Sequence, residues 1–120
     1  MQNSENIDFF PAKNGELTVT INSTLLHSKY NPSKEAENYI KSLNISFIPK
    51  IFFVIEPALS YVANSLKKCY PTSKIIAIRF TNIFDKYNLD YEETINLNNF
   101  KNNNEIENYF YLHYTEELLF

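Results

Sequence analysis

Two apolar runs of strand length bracket an amphipathic helix in the middle of the chain, and this order constrains the fold more than any other feature. Lys50-Ile51-Phe52-Phe53-Val54-Ile55 is continuous and rich in β-branched and aromatic residues. That composition suits a strand covered on both faces better than an alternating, half-solvated one. Leu59, Val62, Ala63 and Leu66 then recur at helical spacing between Ala58 and Cys69, and Ser73-Lys74-Ile75-Ile76-Ala77-Ile78 returns to a buried strand. A strand, a helix and a strand in so short a span form a βαβ unit, whose strands run parallel and whose crossover is right-handed. The pattern predicts an α/β fold, a small Rossmann-like sheet with residues 50–55 as a central strand.

An N-terminal β-hairpin is expected to precede this core. Leu17, Val19 and Ile21 alternate with Glu16, Thr18, Thr20 and Asn22, the period of a half-buried strand, and Ile7-Asp8-Phe9-Phe10 supplies a partner. The turn falls near Ala12 to Gly15, and a further short strand is predicted through Ser23-Thr24-Leu25-Leu26. Asn31-Pro32 opens a helix by two rules: Asn is a favoured N-cap, and Pro at the first helical position gives up an amide that would have been unpaired. Ala36, Tyr39, Ile40 and Leu43 define its apolar face. After Phe80 the signals weaken to a short helix over 82–87, an Asn-rich stretch to Asn104 and a helix over 105–118, with an apolar end at Leu118-Leu119-Phe120. At 120 residues the chain fits one domain, 1–120, with one modest core.

Charge and cysteine usage narrow the partners. A formal net charge of -3 gives no basic field for a nucleic acid, and the pair Lys67-Lys68 reads as the solvated end of a helix. The single cysteine, Cys69, follows Leu66 at helical spacing, which predicts ordinary burial and no disulfide. No run approaches the roughly 20 apolar residues that span a bilayer, and Met1-Gln2-Asn3-Ser4-Glu5 lacks the features of a signal peptide. A cytoplasmic protein, with no nucleic-acid or membrane partner, is expected.

Polar side chains gather at two strand-to-helix junctions. At the first, His27, Ser28, Tyr30 and Glu35 surround a helix N-terminus. One reading has its free amides meet an anion or polar ligand; the other has His27 and Ser28 bond the local backbone while Tyr30 packs on the hairpin. His27 and Ser28 are adjacent, so an extended chain sends them to opposite faces and disfavours a nucleophile-base pair. At the second, Glu56-Pro57-Ala58-Leu59 stands where dinucleotide and methyl-donor folds carry glycines. It offers neither the missing Cβ nor the positive φ of glycine, Pro57 removes a donor, and Glu56 adds negative charge where a phosphate would sit. Arg79, one strand on, either greets a phosphate or bridges to Glu56. His113 and Glu116 share a helical face without a second histidine, so no metal site is expected.

The run Leu26-His27-Ser28-Lys29-Tyr30-Asn31-Pro32-Ser33-Lys34-Glu35-Ala36 resembles a segment of the N-terminal domain of the motility accessory factor family, proteins whose central domain is 6-hydroxymethylpterin diphosphokinase-like. The family segment reads leucine-histidine-serine, any, tyrosine, aspartate, proline, two of any kind, glutamate-alanine. Asn31 departs from it, as Glu56-Pro57-Ala58-Leu59 departs from the glycine-rich turn many relatives carry. The likeness runs from about residue 7 to 80. It implies a Rossmann-type N-terminal domain of proteins linked to flagellin glycosylation, with the transferase centre in the next domain. On this reading the chain is a non-catalytic module without a cofactor. It would contact a catalytic domain or a flagellar protein through His27, Ser28, Tyr30 and Glu35 of the first junction and through the aromatic C-terminal helix, and exposed Tyr and Phe would favour a homodimer. Glu56 and Arg79 complete the candidate ligand- or partner-binding residues. The alternatives are a degenerate methyltransferase-like domain holding a nucleotide or sugar nucleotide, and a free-standing regulator.

Overall fold

A computed structural model describes residues 6–89 and 91–118, with side chains to Tyr114. The N-terminal hairpin pairs β1 (Ile7–Pro11) with β2 (Leu17–Ile21), antiparallel, and β3 (Thr24–Leu25) extends the sheet beyond β2. The turn closes through bonds from Ala12 N–H to Glu16 and from Gly15 N–H to Ala12. Gly15 takes φ +92, so the chain's only glycine sits where the turn requires one. Helix α1 (Pro32–Ser42) starts as the sequence predicts, the Asn31 side chain accepting from Lys34 N–H. Ala36 and Ile40 of its apolar stripe are buried, whereas Tyr39 and Leu43 stay exposed.

The βαβ unit follows as β4 (Ile51–Ile55), α2 (Tyr61–Cys69) and β5 (Lys74–Arg79), with β4 and β5 parallel. A four-residue strand, β6 (Glu93–Asn96), pairs parallel with the far side of β5. The sheet order is β4-β5-β6. Residues 50–55 are therefore not central: β5 holds the middle, with five of its six residues buried, and β4 is an edge strand ending on exposed Ile55. The central place depended on β6, whose short Glu-Thr-Ile-Asn run hides in the Asn-rich stretch and contributes one buried apolar side chain, Ile95.

Helix α3 (Asn103–Leu118) covers one face of the parallel sheet, where Tyr114 joins Ile76 and Ile95, while α1 and α2 cover the other through Ile40, Ala63, Leu66 and Ile75. The expected short helix over 82–87 is a single 3-10 turn, Asp85–Tyr87. Cys69 is exposed, not buried, because the last turn of α2 leaves the packed face and carries Lys67, Lys68 and Cys69 into solvent. Whether Leu119-Phe120 dock lies outside the described residues. Among those described, no helix is long and apolar enough to cross a membrane.

The antiparallel sheet lies against the carboxyl ends of the parallel strands. Val19 of β2 packs with Ala58 and Leu59 of the β4–α2 turn and with fully buried Phe84. Burial of Phe84 alone contributes about 2 kcal/mol. In open α/β sheets this end of the strands is where ligands bind.

Candidate functional site

The β4–α2 turn is the centre of the site, and its backbone differs from expectation. Glu56, Ala58 and Ser60 take φ of +40, +47 and +74. The left-handed geometry that glycines would supply is thus present without them, at about 1 kcal/mol or more of strain for each Cβ. Tertiary contacts hold it in place. Glu56 N–H bonds the Ile78 carbonyl at 2.6 Å, Ser60 N–H bonds the Pro57 carbonyl at 2.7 Å, and the buried Ser60 hydroxyl donates to the Tyr87 carbonyl at 2.8 Å. Tyr91 Oη lies 2.6 Å from the same Ser60 oxygen, and burial pushes the Tyr91 hydroxyl above its ordinary pKa.

Donors that a glycine-rich turn would turn toward a phosphate are met here by the chain itself. Glu56 folds back so that Oε2 accepts from Ala58 N–H at 3.1 Å and from Arg79 Nη1 at 2.9 Å, while Oε1 accepts from Phe80 N–H at 2.9 Å. Leu59 N–H donates to His27 Nε2 at 3.2 Å. Arg79 is fully buried, donating through Nε to Asn88 at 2.7 Å and through Nη1 to the Ala58 carbonyl at 3.2 Å. Its Nη2 has no hydrogen-bond partner among the described residues. Glu56 thus occupies, as an internal carboxylate, the place a bound anion would take between a strained turn and an arginine.

The first junction splits into two groups. His27 reaches the β4–α2 turn: besides the bond to Leu59, its ring meets Tyr61 edge-on at 5.1 Å between centroids, and its carbonyl accepts from Thr18 at 3.0 Å. Burial lowers the His27 pKa, with Glu35 pulling more weakly the other way. Ser28 stays local, its Oγ accepting from Tyr30 and Asn31 N–H at 3.0 Å each, while its N–H donates to Glu35 at 2.8 Å. Tyr30 is exposed, with the Lys13 and Lys29 ammonium groups 5.3 and 5.5 Å from its ring centroid. His27 and Ser28 engage different backbone amides and are not arranged as base and nucleophile.

The amides of α1 are not open to a ligand either. Ser33 N–H donates to Glu16 at 2.9 Å, the Ser33 hydroxyl also meets Glu16, and Asn14 donates to the same carboxylate at 2.8 Å. Hydrogen bonds from Asn14 and Ser33 hold the Glu16 carboxyl below its usual range. Sequence reading missed Glu16, which looked like one polar residue of an alternating strand. It also missed Ser60, Asn88 and Tyr91, which no local spacing connects to the turn. Among the described residues no group of three or more His, Cys, Asp and Glu side chains is placed to hold a metal.

No protein-family model matches the chain, and no curated protein or solved structure matches it significantly. The fold and the site together define a small α/β protein of Rossmann-like architecture whose ligand end is closed by its own side chains.

Proposed function

We propose that this chain is a non-catalytic module that works through contact with a protein partner. In the motility-accessory-factor reading, that partner is a catalytic domain or a flagellar protein. One observation carries the non-catalytic part. The Glu56 carboxylate sits on Ala58 N–H, Phe80 N–H and Arg79 where a ligand phosphate would need to bind. A ligand phosphate would first have to displace the Glu56 carboxylate from these three partners, and the loss of those bonds offsets what the phosphate gains.

Thermal unfolding in the presence of S-adenosylmethionine, NAD or nucleotide sugars tests this reading. At millimolar ligand the expected shift is below about 1 °C. A shift of several degrees, growing with concentration, would mean a bound small molecule and end the proposal. The competing reading, a degenerate methyltransferase-like domain holding a nucleotide or sugar nucleotide, draws support from Arg79 Nη2, which has no hydrogen-bond partner among the described residues. It requires Glu56 to leave the turn on binding, so its ligand response would be larger in Glu56→Gln than in the native chain.

A further inference from the structure

The edge of β4 is built as a strand acceptor. In the parallel pairing, Lys74 N–H bonds the Lys50 carbonyl and Glu56 N–H bonds the Ile78 carbonyl. The even-numbered residues of β4 therefore face β5, and the amides and carbonyls of Ile51, Phe53 and Ile55 point outward. Among the described residues nothing pairs with that side, since the sheet order ends at β4. Between Ile51 and Ile55 the edge carries no Pro and no charge, and its register with β5 is unbroken.

Beside the edge runs an open groove of about 520 Å³, walled by Ala36, Tyr39, Ile40 and Leu43 of α1 and floored by Phe52 and Val54. Polar backbone along one side of an apolar groove matches a chain that brings both hydrogen bonds and apolar side chains. Ile55, 59% exposed, also lines it. In a doubly wound sheet of order 3-2-1-4, the outer side of strand 1 is where the second half pairs, and β6-β5-β4 reproduces the 3-2-1 part. The only formally charged residues lining the groove are Glu35 and Glu56, both near the carboxyl end of β4.

We infer that β4 is the docking edge of this chain. Its occupant is an extended segment of a partner protein, apolar at alternate positions and carrying a lysine or arginine where it passes Glu35. The inference rests on the contact reading only in taking a protein as the partner. A nucleotide response would defeat that reading without touching β4, and the measurement below reads β4 alone.

The probe is a nine-residue capped peptide of alternating valine and threonine with lysine at both ends, compared with the same peptide ending in glutamates. Each is added to the ¹⁵N-labelled full chain. Shift changes should centre on Ile51, Phe53 and Ile55, whose amide exchange slows tenfold or more, and the lysine peptide should bind at least fivefold tighter. Ile55→Pro removes one outward donor and leaves the β4–β5 ladder intact, so it should weaken binding about fivefold. Should that variant unfold, Glu35→Lys serves instead, by reversing the preference toward the glutamate peptide. Unperturbed β4 amides, or equal affinity for both peptides, would overturn the assignment. So would protection of the same amides by protein concentration alone, because the occupant would then be a second copy.

Discussion

The carboxyl ends of the parallel strands and the outer edge of β4 lie next to one another and are finished in opposite ways. At the strand ends, a turn with three left-handed residues has its donors met by Glu56, His27 and the Pro57 carbonyl, with a second sheet packed over it. At the edge, three outward amides and carbonyls run beside an apolar groove with no strand upon them among the described residues. Rossmann-like domains usually show the reverse, an open end for the ligand and edges covered by further strands. The contrast teaches that one small α/β architecture can satisfy the donors of its turn internally while leaving backbone groups open along a neighbouring edge.

Breaking the closed end should have the largest effect. Arg79→Ala strands the Glu56 carboxylate and removes the partner of Asn88, so urea denaturation should show a loss of about 3 kcal/mol. Anything under about 1 kcal/mol would mean the pair does not hold the turn.

Glu56→Ala ranks next, at about 2 kcal/mol, because it leaves Arg79 and the Ala58 and Phe80 amides without their acceptor. Millimolar formate or acetate should recover part of that loss in thermal unfolding, above what sodium chloride gives. Equal recovery by chloride would show that the space Glu56 vacates does not select a carboxylate.

A smaller effect comes from pH. Burial holds His27 below its ordinary 6.5, and a protonated Nε2 could not accept from Leu59 N–H. The unfolded chain takes up a proton as pH falls through about 6.5 while the folded chain resists. This contribution is therefore complete above about 6.5 and lost as pH drops toward the folded value. With the ring partly exposed, the expected drop is under about 1 kcal/mol. Urea midpoints at pH 7.5 and 5.5 should differ less in His27→Gln than in the native chain.

The open edge gives the smallest stability effect and so sharpens the contrast. Ile55→Lys, on a side chain 59% exposed, should change the denaturation midpoint by no more than about 0.5 kcal/mol. A loss near 2 kcal/mol would show that the edge is already covered in solution.

Much of the framework was readable before any coordinates. The period-two run at Leu17–Ile21, the Asn31-Pro32 start of α1 and the continuous run at 50–55 all became elements where expected, because each signal is local. The possible bridge from Arg79 to Glu56 was also visible, since βαβ pairing brings adjacent strand ends together. Three things were not legible. β6 is too short and too polar to carry a periodicity. The positive φ values at 56, 58 and 60 run against the preferences of Glu, Ala and Ser, so no residue type announced them. Cys69 has the spacing of a buried residue but lies where the helix outruns its neighbours.

By itself, then, the sequence determined the N-terminal hairpin, the start of α1 and the parallel βαβ unit, because those outcomes follow from residues a few positions apart. Only the tertiary structure decided that β4 is an edge and that Glu16 and Glu56 accept from the Ser33 and Ala58 amides. It also decided that His27 reaches Leu59 from 32 positions away. Those outcomes depend on which surfaces meet, and a strained turn or a folded-back carboxylate is stable only when distant parts of the chain arrive to hold it.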